Sequence, residues 1–86
     1  MLRILYRPVF IRQYWKLSES LREEVNEKIK LFQKDPTHSF LKIHKLKGKL
    51  AGCLSFSVNY QYRVIFEFVG KDAIRLFAVG KHEIYG

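Results

Sequence analysis

Cysteine is almost missing from this chain. Cys53 stands alone, so no disulfide can form within it, which suits a reducing, cytoplasmic setting. No Cys-x-x-Cys occurs, and no two histidines lie four apart. Scattered histidines and a lone cysteine make a poor ligand set, so no metal and no cofactor is expected. A glycine-rich phosphate loop is lacking as well. No apolar run approaches the length that spans a bilayer. Arg3 and Arg7 break the N-terminal stretch, so it does not read as a signal peptide. Together these absences point to a soluble, cytoplasmic protein with no membrane partner. Repeats, low-complexity tracts and linkers are missing too, so residues 1–86 read as one domain.

Acidic residues are scarce. Eight of them face sixteen lysines and arginines, a net charge of +8 on only 86 residues. An excess of that size implies an anionic partner, either nucleic acid or an acidic protein segment. The charge is also clustered: Lys42, Lys45, Lys47 and Lys49, with His44, share one short window. What is plentiful is apolar and aromatic side chain, at 48% and 15%, enough for a packed core rather than a disordered tail.

The pattern along the chain predicts an α+β domain in the order β-α-α-β-β-β. Leu2 to Tyr6 is short and β-prone. Pro8 suits the first turn of a helix, where its missing N–H costs nothing, and Phe10, Tyr14 and Leu17 follow at roughly helical spacing to about Lys16. Ser20-Leu21-Arg22-Glu23 reads as a capping box. Leu21, Val25, Ile29 and Phe32 then recur on one face to about Lys34, before Asp35-Pro36. Thr37 to Gly52 reads as a basic connection. Leu54, Phe56, Val58 and Tyr60 alternate with polar residues, as a half-buried strand does. Tyr60-Gln61 is taken as a tight turn into a strand of alternating Tyr62, Val64, Phe66 and Phe68. Ile74 to Val79 is apolar on both faces apart from Arg75, as an interior strand is. The expected product is a small, antiparallel-rich sheet with a helix hairpin on one face. Phe56, Tyr60, Phe66 and Phe68 are read as core, Cys53 as a small core residue and His38 as surface.

This order, with His44-x-Leu46-x-Gly48, Leu50-x-Gly52-x-x-Ser55, Tyr62-Arg63-Val64-Ile65-Phe66 and Gly80-x-His82-x-x-Tyr85, resembles the RelE/ParE superfamily of type II toxin–antitoxin toxins. The resemblance covers essentially the whole chain. It is nearest to the YafQ- and YoeB-type mRNA interferases. It implies a RelE-like fold and endonucleolytic cleavage of mRNA, generally in the A site of a translating ribosome. The partners implied are mRNA, the ribosome and a cognate antitoxin. The basic charge independently suits an antitoxin with an acidic segment. The sequence departs from relatives at Cys53-Leu54, where tryptophan or another aromatic is frequent. It departs again at Asn59 and Gln61, where several carry histidine or aspartate.

RNA can be cut through its own 2′-hydroxyl, which attacks the adjacent phosphorus. The protein must remove one proton, hold the phosphate and return a proton to the leaving oxygen. Imidazole suits both transfers because it ordinarily titrates near neutrality. A guanidinium offers paired donors to phosphate. The resemblance casts His44 as the base, His82 as the acid, Arg63 as the phosphate ligand and Tyr85 as a stacking or orienting aromatic. Strand alternation turns Arg63 away from Tyr62, Val64 and Phe66. Lys45, Lys47, Lys49, Arg75 and Lys81 are read as contacts to the RNA backbone. Two other readings stand beside this one: a ParE-like docking inhibitor of DNA gyrase, and a catalytically decayed toxin that only binds its antitoxin.

Overall fold

The computed structural model describes residues 2–85. Met1 and Gly86, the ends of the expected 1–86 domain, lie outside the described residues. Strand β1 (Arg3–Tyr6) leads into helices α1 (Pro8–Lys16) and α2 (Glu19–Lys34). Then come β2 (His44–Lys45), β3 (Leu54–Ser57), β4 (Arg63–Val69) and β5 (Ala73–Gly80). Short 3-10 turns occupy Ser39–Leu41, Gly48–Leu50 and His82–Tyr85. The fold is α+β, as the pattern predicted: a helix hairpin on one face of a mixed sheet ordered β1-β5-β4-β3-β2.

The strands from β2 to β5 pair as an antiparallel meander, and β1 joins β5 in parallel. That pairing makes β5 interior, which explains its two apolar faces. Beyond the end of β1 the backbone of β5 still needs partners. Arg7 N donates to Leu76 O at 3.0 Å, and Gln13 Oε1 accepts from Val79 N at 2.9 Å. Helix α1 thus finishes the ladder that β1 is too short to complete.

The core forms where α2 crosses the sheet. Phe10, Val25, Ile29 and Phe32 meet Phe56, Val64, Phe66, Ile74, Leu76 and Val79. Phe32 is the hub, with ring centroids 5.5 Å from Phe56 and 4.9 Å from Phe66. Alternation along β3 and β4 places Ser55, Ser57 and Arg63 on the opposite face. No described helix is long and apolar enough to cross a membrane.

Several local expectations are corrected. Helix α2 is capped by Ser18, whose side chain accepts from Leu21 N at 3.3 Å, rather than by Ser20. The earlier start lets Arg22 Nη1 donate to Leu17 O at 2.6 Å across the interhelical corner. The basic connection contains a short edge strand, β2, and two 3-10 turns. Strand β3 stops at Ser57, and residues 58–62 form a loop instead of a tight turn. Of the aromatics read as core, Tyr60 is 94% exposed and Phe68 53%, so neither packs as expected.

Candidate active site

The open face of β3 and β4 carries a small polar assembly centred on Ser55. Its register partner on β4 is Ile65, and Ser57 lies opposite Arg63. The Arg63 side chain therefore leans along the sheet to reach Ser55. Its Nε donates to Ser55 Oγ at 3.0 Å, and Nη2 donates to Ser55 O at 3.2 Å and Lys42 O at 2.6 Å. Among the described residues Nη1 meets no acceptor, so one edge of the guanidinium is left for a ligand. Lys42 adopts a left-handed backbone, with φ of 46°, at the end of the Ser39–Leu41 turn. A non-glycine residue rarely adopts that conformation, and here it accompanies a carbonyl aimed at Arg63.

The chain end closes over this assembly. After β5 the 3-10 turn His82–Tyr85 folds back onto Gly80, and Ile84 N donates to Lys81 O at 3.2 Å. A Cβ on Gly80 would lie 2.6 Å from Ile84 Cγ2 and 2.7 Å from Glu83 Oε1, so a larger residue there would make those two side chains shift. Glu83 Oε1 also accepts from Lys81 N at 3.0 Å. The Tyr85 hydroxyl reaches Ser55 Oγ at 3.4 Å, and its ring centroid lies 6.3 Å from that of His82. Ser55 is thus the buried post that Arg63 and Tyr85 both grip.

Residues 58–62 form the facing wall. Asn59 Oδ1 accepts from Gln61 N and Tyr62 N, both at 2.9 Å, an Asx-type closure. Asn59 Nδ2 donates to Glu24 Oε2 at 3.1 Å, and Lys28 Nζ donates to Val58 O at 3.0 Å. Two anchors on α2 therefore hold the loop. Between this wall and the chain end lies a cleft of about 260 Å³ lined by Lys42, Tyr60, Arg63, Lys81, His82 and Tyr85, among others.

Of the residues singled out in sequence, Arg63, Lys81, His82 and Tyr85 come together in this cleft. Lys81 also sets its ammonium 5.5 Å from the centre of the Tyr62 ring. His44 does not line the cleft. It pairs with Ser55 across β2 and β3, which puts its side chain on the same sheet face as Ser55. Lys45, Lys47 and Lys49 are exposed along β2 and the turn after it, outside the cleft lining. Arg75 stands apart: it binds Glu67 at 2.8 Å, four residues along β4 from Arg63, a separation of about 13 Å.

Sequence reasoning overlooked Lys42, Ser55 and Tyr60 as site residues. Lys42 was visible only as one lysine in a cluster. Ser55 was part of the quoted motif, but nothing marked it as the anchor. Tyr60 was hidden by an alternation that carried on past the true end of β3. Cys53 is buried, and that burial, reinforced by Glu67, pushes its thiol pKa up against a smaller opposing pull from Arg7. It is therefore held as a neutral thiol at ordinary pH, not as a nucleophile.

A family model described as the RelE-like toxin of the type II toxin–antitoxin system HigB matches residues 13–82. The chain belongs to this family of RelE-like toxins. The matched span includes His44, Arg63 and His82 and stops before Tyr85. Among solved structures, the YoeB/ParE toxin from Agrobacterium tumefaciens is similar at TM-score 0.79 and 19% identity, over 94% of this chain and 99% of that one. YafQ from E. coli gives TM-score 0.79 at 18% identity with full coverage of both chains, 100% each. The heterotetrameric YoeB–YefM toxin–antitoxin complex from Staphylococcus aureus gives 0.75 at 22%, over 95% of this chain and 98% of that one. At such identities the likeness is one of fold. No curated protein matches this chain.

Proposed function

We propose that this RelE-like toxin is an endoribonuclease that cuts mRNA on translating ribosomes. The observation that carries the reading is the meeting of Arg63, His82 and Tyr85 in one cleft, with His44 on the same sheet face across from Ser55. His44 takes the proton of the RNA 2′-hydroxyl, and that oxygen attacks the neighbouring phosphorus. His82 gives its proton to the departing 5′-oxygen. The products are a 2′,3′-cyclic phosphate and a 5′-hydroxyl end; the two histidines have exchanged protonation states, and proton exchange with water restores them before the next turnover. Each proton transfer is worth on the order of 10² to 10⁴ in rate.

Arg63 supports the charge that builds on the phosphate oxygens. Its Nε and Nη2 are already committed to Ser55 and Lys42, so the Nη1 edge is aimed before substrate arrives. Tyr85, tied to the same serine, stacks on or orients the nucleotide. Lys42 and Lys81 attract the RNA backbone in the cleft, and Lys45, Lys47 and Lys49 extend that attraction along the edge strand.

An antitoxin follows by analogy with the Staphylococcus aureus relative, which is known in complex with YefM. Here its acidic segment covers the basic cleft, in the cytoplasm. Primer-extension mapping of a model mRNA, with and without translating ribosomes, tests the enzyme reading. Cleavage confined to the ribosomal reaction supports it. Folded protein that cleaves nothing but blocks gyrase supercoiling overturns it in favour of a docking inhibitor.

A further inference from the structure

A second hollow of about 260 Å³ adjoins the cleft. It shares Lys42, Ser57, Asn59 and Tyr60 with the cleft and adds Phe40 and Lys28. Tyr60 is therefore the ridge between two depressions. Its ring is 94% exposed, yet the loop beneath it is pinned by Asn59 and by Lys28. Phe40, 68% exposed, is presented in a similar way. It sits in the 3-10 turn Ser39–Leu41, whose Leu41 is buried in the core while His38 Nδ1 accepts from Phe40 N at 3.1 Å. The His38 and Phe40 rings meet edge to face with centroids 4.8 Å apart.

Neither aromatic contributes to the core, and both are presented to solvent from anchored backbone. A single exposed ring is ordinary. Two rings bordering one hollow, with a lysine of the neighbouring cleft in the same lining, have the composition of a single-stranded nucleic-acid site. Aromatic faces there stack on bases while cations follow the phosphates. Lys28 Nζ is already bound to Val58 O, which leaves Lys42 to meet the phosphate.

We propose that Tyr60 and Phe40 form a nucleobase subsite beside the cleft, binding the unpaired base next to the scissile phosphate. The inference rests on the RNA-cleaving reading of the cleft and adds the substrate contact that positions the strand. Stacking tolerates every base, so the subsite fixes where along the strand the cut falls rather than which base is chosen.

The test is single-turnover cleavage on translating ribosomes by the full chain and its Tyr60→Ala, Tyr60→Phe and Phe40→Ala variants. Both rings are exposed, and circular dichroism checks each fold. Loss of one base–aromatic stack is expected to raise the half-saturating toxin concentration about tenfold in Tyr60→Ala, with little change in the saturated rate. Tyr60→Phe, which keeps the ring face, restores the wild-type concentration. 2-Aminopurine next to the cut site is quenched by wild type and not by Tyr60→Ala. If both alanine variants stay within about twofold of wild type, below the loss of one stack, the subsite is refuted while the nuclease stands. If only antitoxin affinity falls, the rings are a protein contact and the proposal is overturned. If wild type does not cleave at all, the enzyme reading fails first and the subsite falls with it.

Discussion

The two faces of the central sheet use the same strands one residue out of step, and they do opposite things. On the helix side Phe56 and Phe66 pack against Phe32, and Val64 is buried in the same apolar cluster. On the open side Ser55, Ser57 and Arg63 replace them, and the cover is a few hydrogen bonds and a short 3-10 turn. The first face is held by area removed from water, which is tolerant of direction. The second is held by bonds with defined geometry, so it can aim groups but adds little stability. Burial of Ser55 joins the two: it lies at 1% exposure with Arg63 and Tyr85 bonded to its hydroxyl.

Substitutions on each side should therefore fail in different assays. The largest stability loss is expected for Phe32→Ala, about 3–5 kcal/mol from the emptied core, a large part of a small domain's total. Chemical denaturation measures it, and a loss under 1 kcal/mol, far below the ~3 expected, would show that the hub is misplaced. Arg63→Lys keeps the charge but loses the planar fork. Cleavage should fall on the order of 10² to 10³ while the melting temperature moves by only a few degrees.

Gly80→Ala should separate the faces by a different route. The added methyl meets the Ile84 and Glu83 side chains, and the 3-10 turn that carries His82 and Tyr85 is expected to shift with them. Displacement of about 1 Å can cost on the order of 10² in rate, so single-turnover cleavage should drop with the core intact. Asn59→Ala removes the Asx closure and the bond to Glu24, and about 1 kcal/mol per lost bond is expected in the denaturation curve.

The smallest effect concerns Cys53. Its thiol pKa is raised in the folded state from an ordinary value of 9.0, so folding favours the neutral form. That contribution is complete below the ordinary thiol pKa and is lost as pH rises through the raised one. Iodoacetamide should label native protein slowly at pH values near neutrality and label denatured protein fast. Equal rates in both would contradict the burial.

Much of this division was legible in sequence, because period-two alternation in 54–57 and 63–68 separates the faces residue by residue. The start of α1 followed from Pro8, its end from the spacing of Phe10, Tyr14 and Leu17, and the end of α2 from Asp35-Pro36. The resemblance marked Arg63, His82 and Tyr85, and its glycine at position 80 proved to be a point of close approach. What stayed hidden depends on side chains folding back on their own backbone. Asn59 ends the alternation by capping Gln61 and Tyr62, which turns Tyr60 outward against its hydrophobic character. Ser18 rather than Ser20 caps α2, and the Arg22 bond to Leu17 O that accompanies it is a contact that periodicity does not encode. Arg75 looked like the other basic residues until its register partner, Glu67, was known.

His82→Ala is the decisive variant for RNA cleavage in this cleft, because the side chain is exposed and lines it. Its cleavage on translating ribosomes and its thermal unfolding should be measured side by side. With His82 as the general acid, the rate should fall by on the order of 10² to 10⁴ with an unchanged melting temperature. A folded His82→Ala protein that cleaves at the wild-type rate would contradict it.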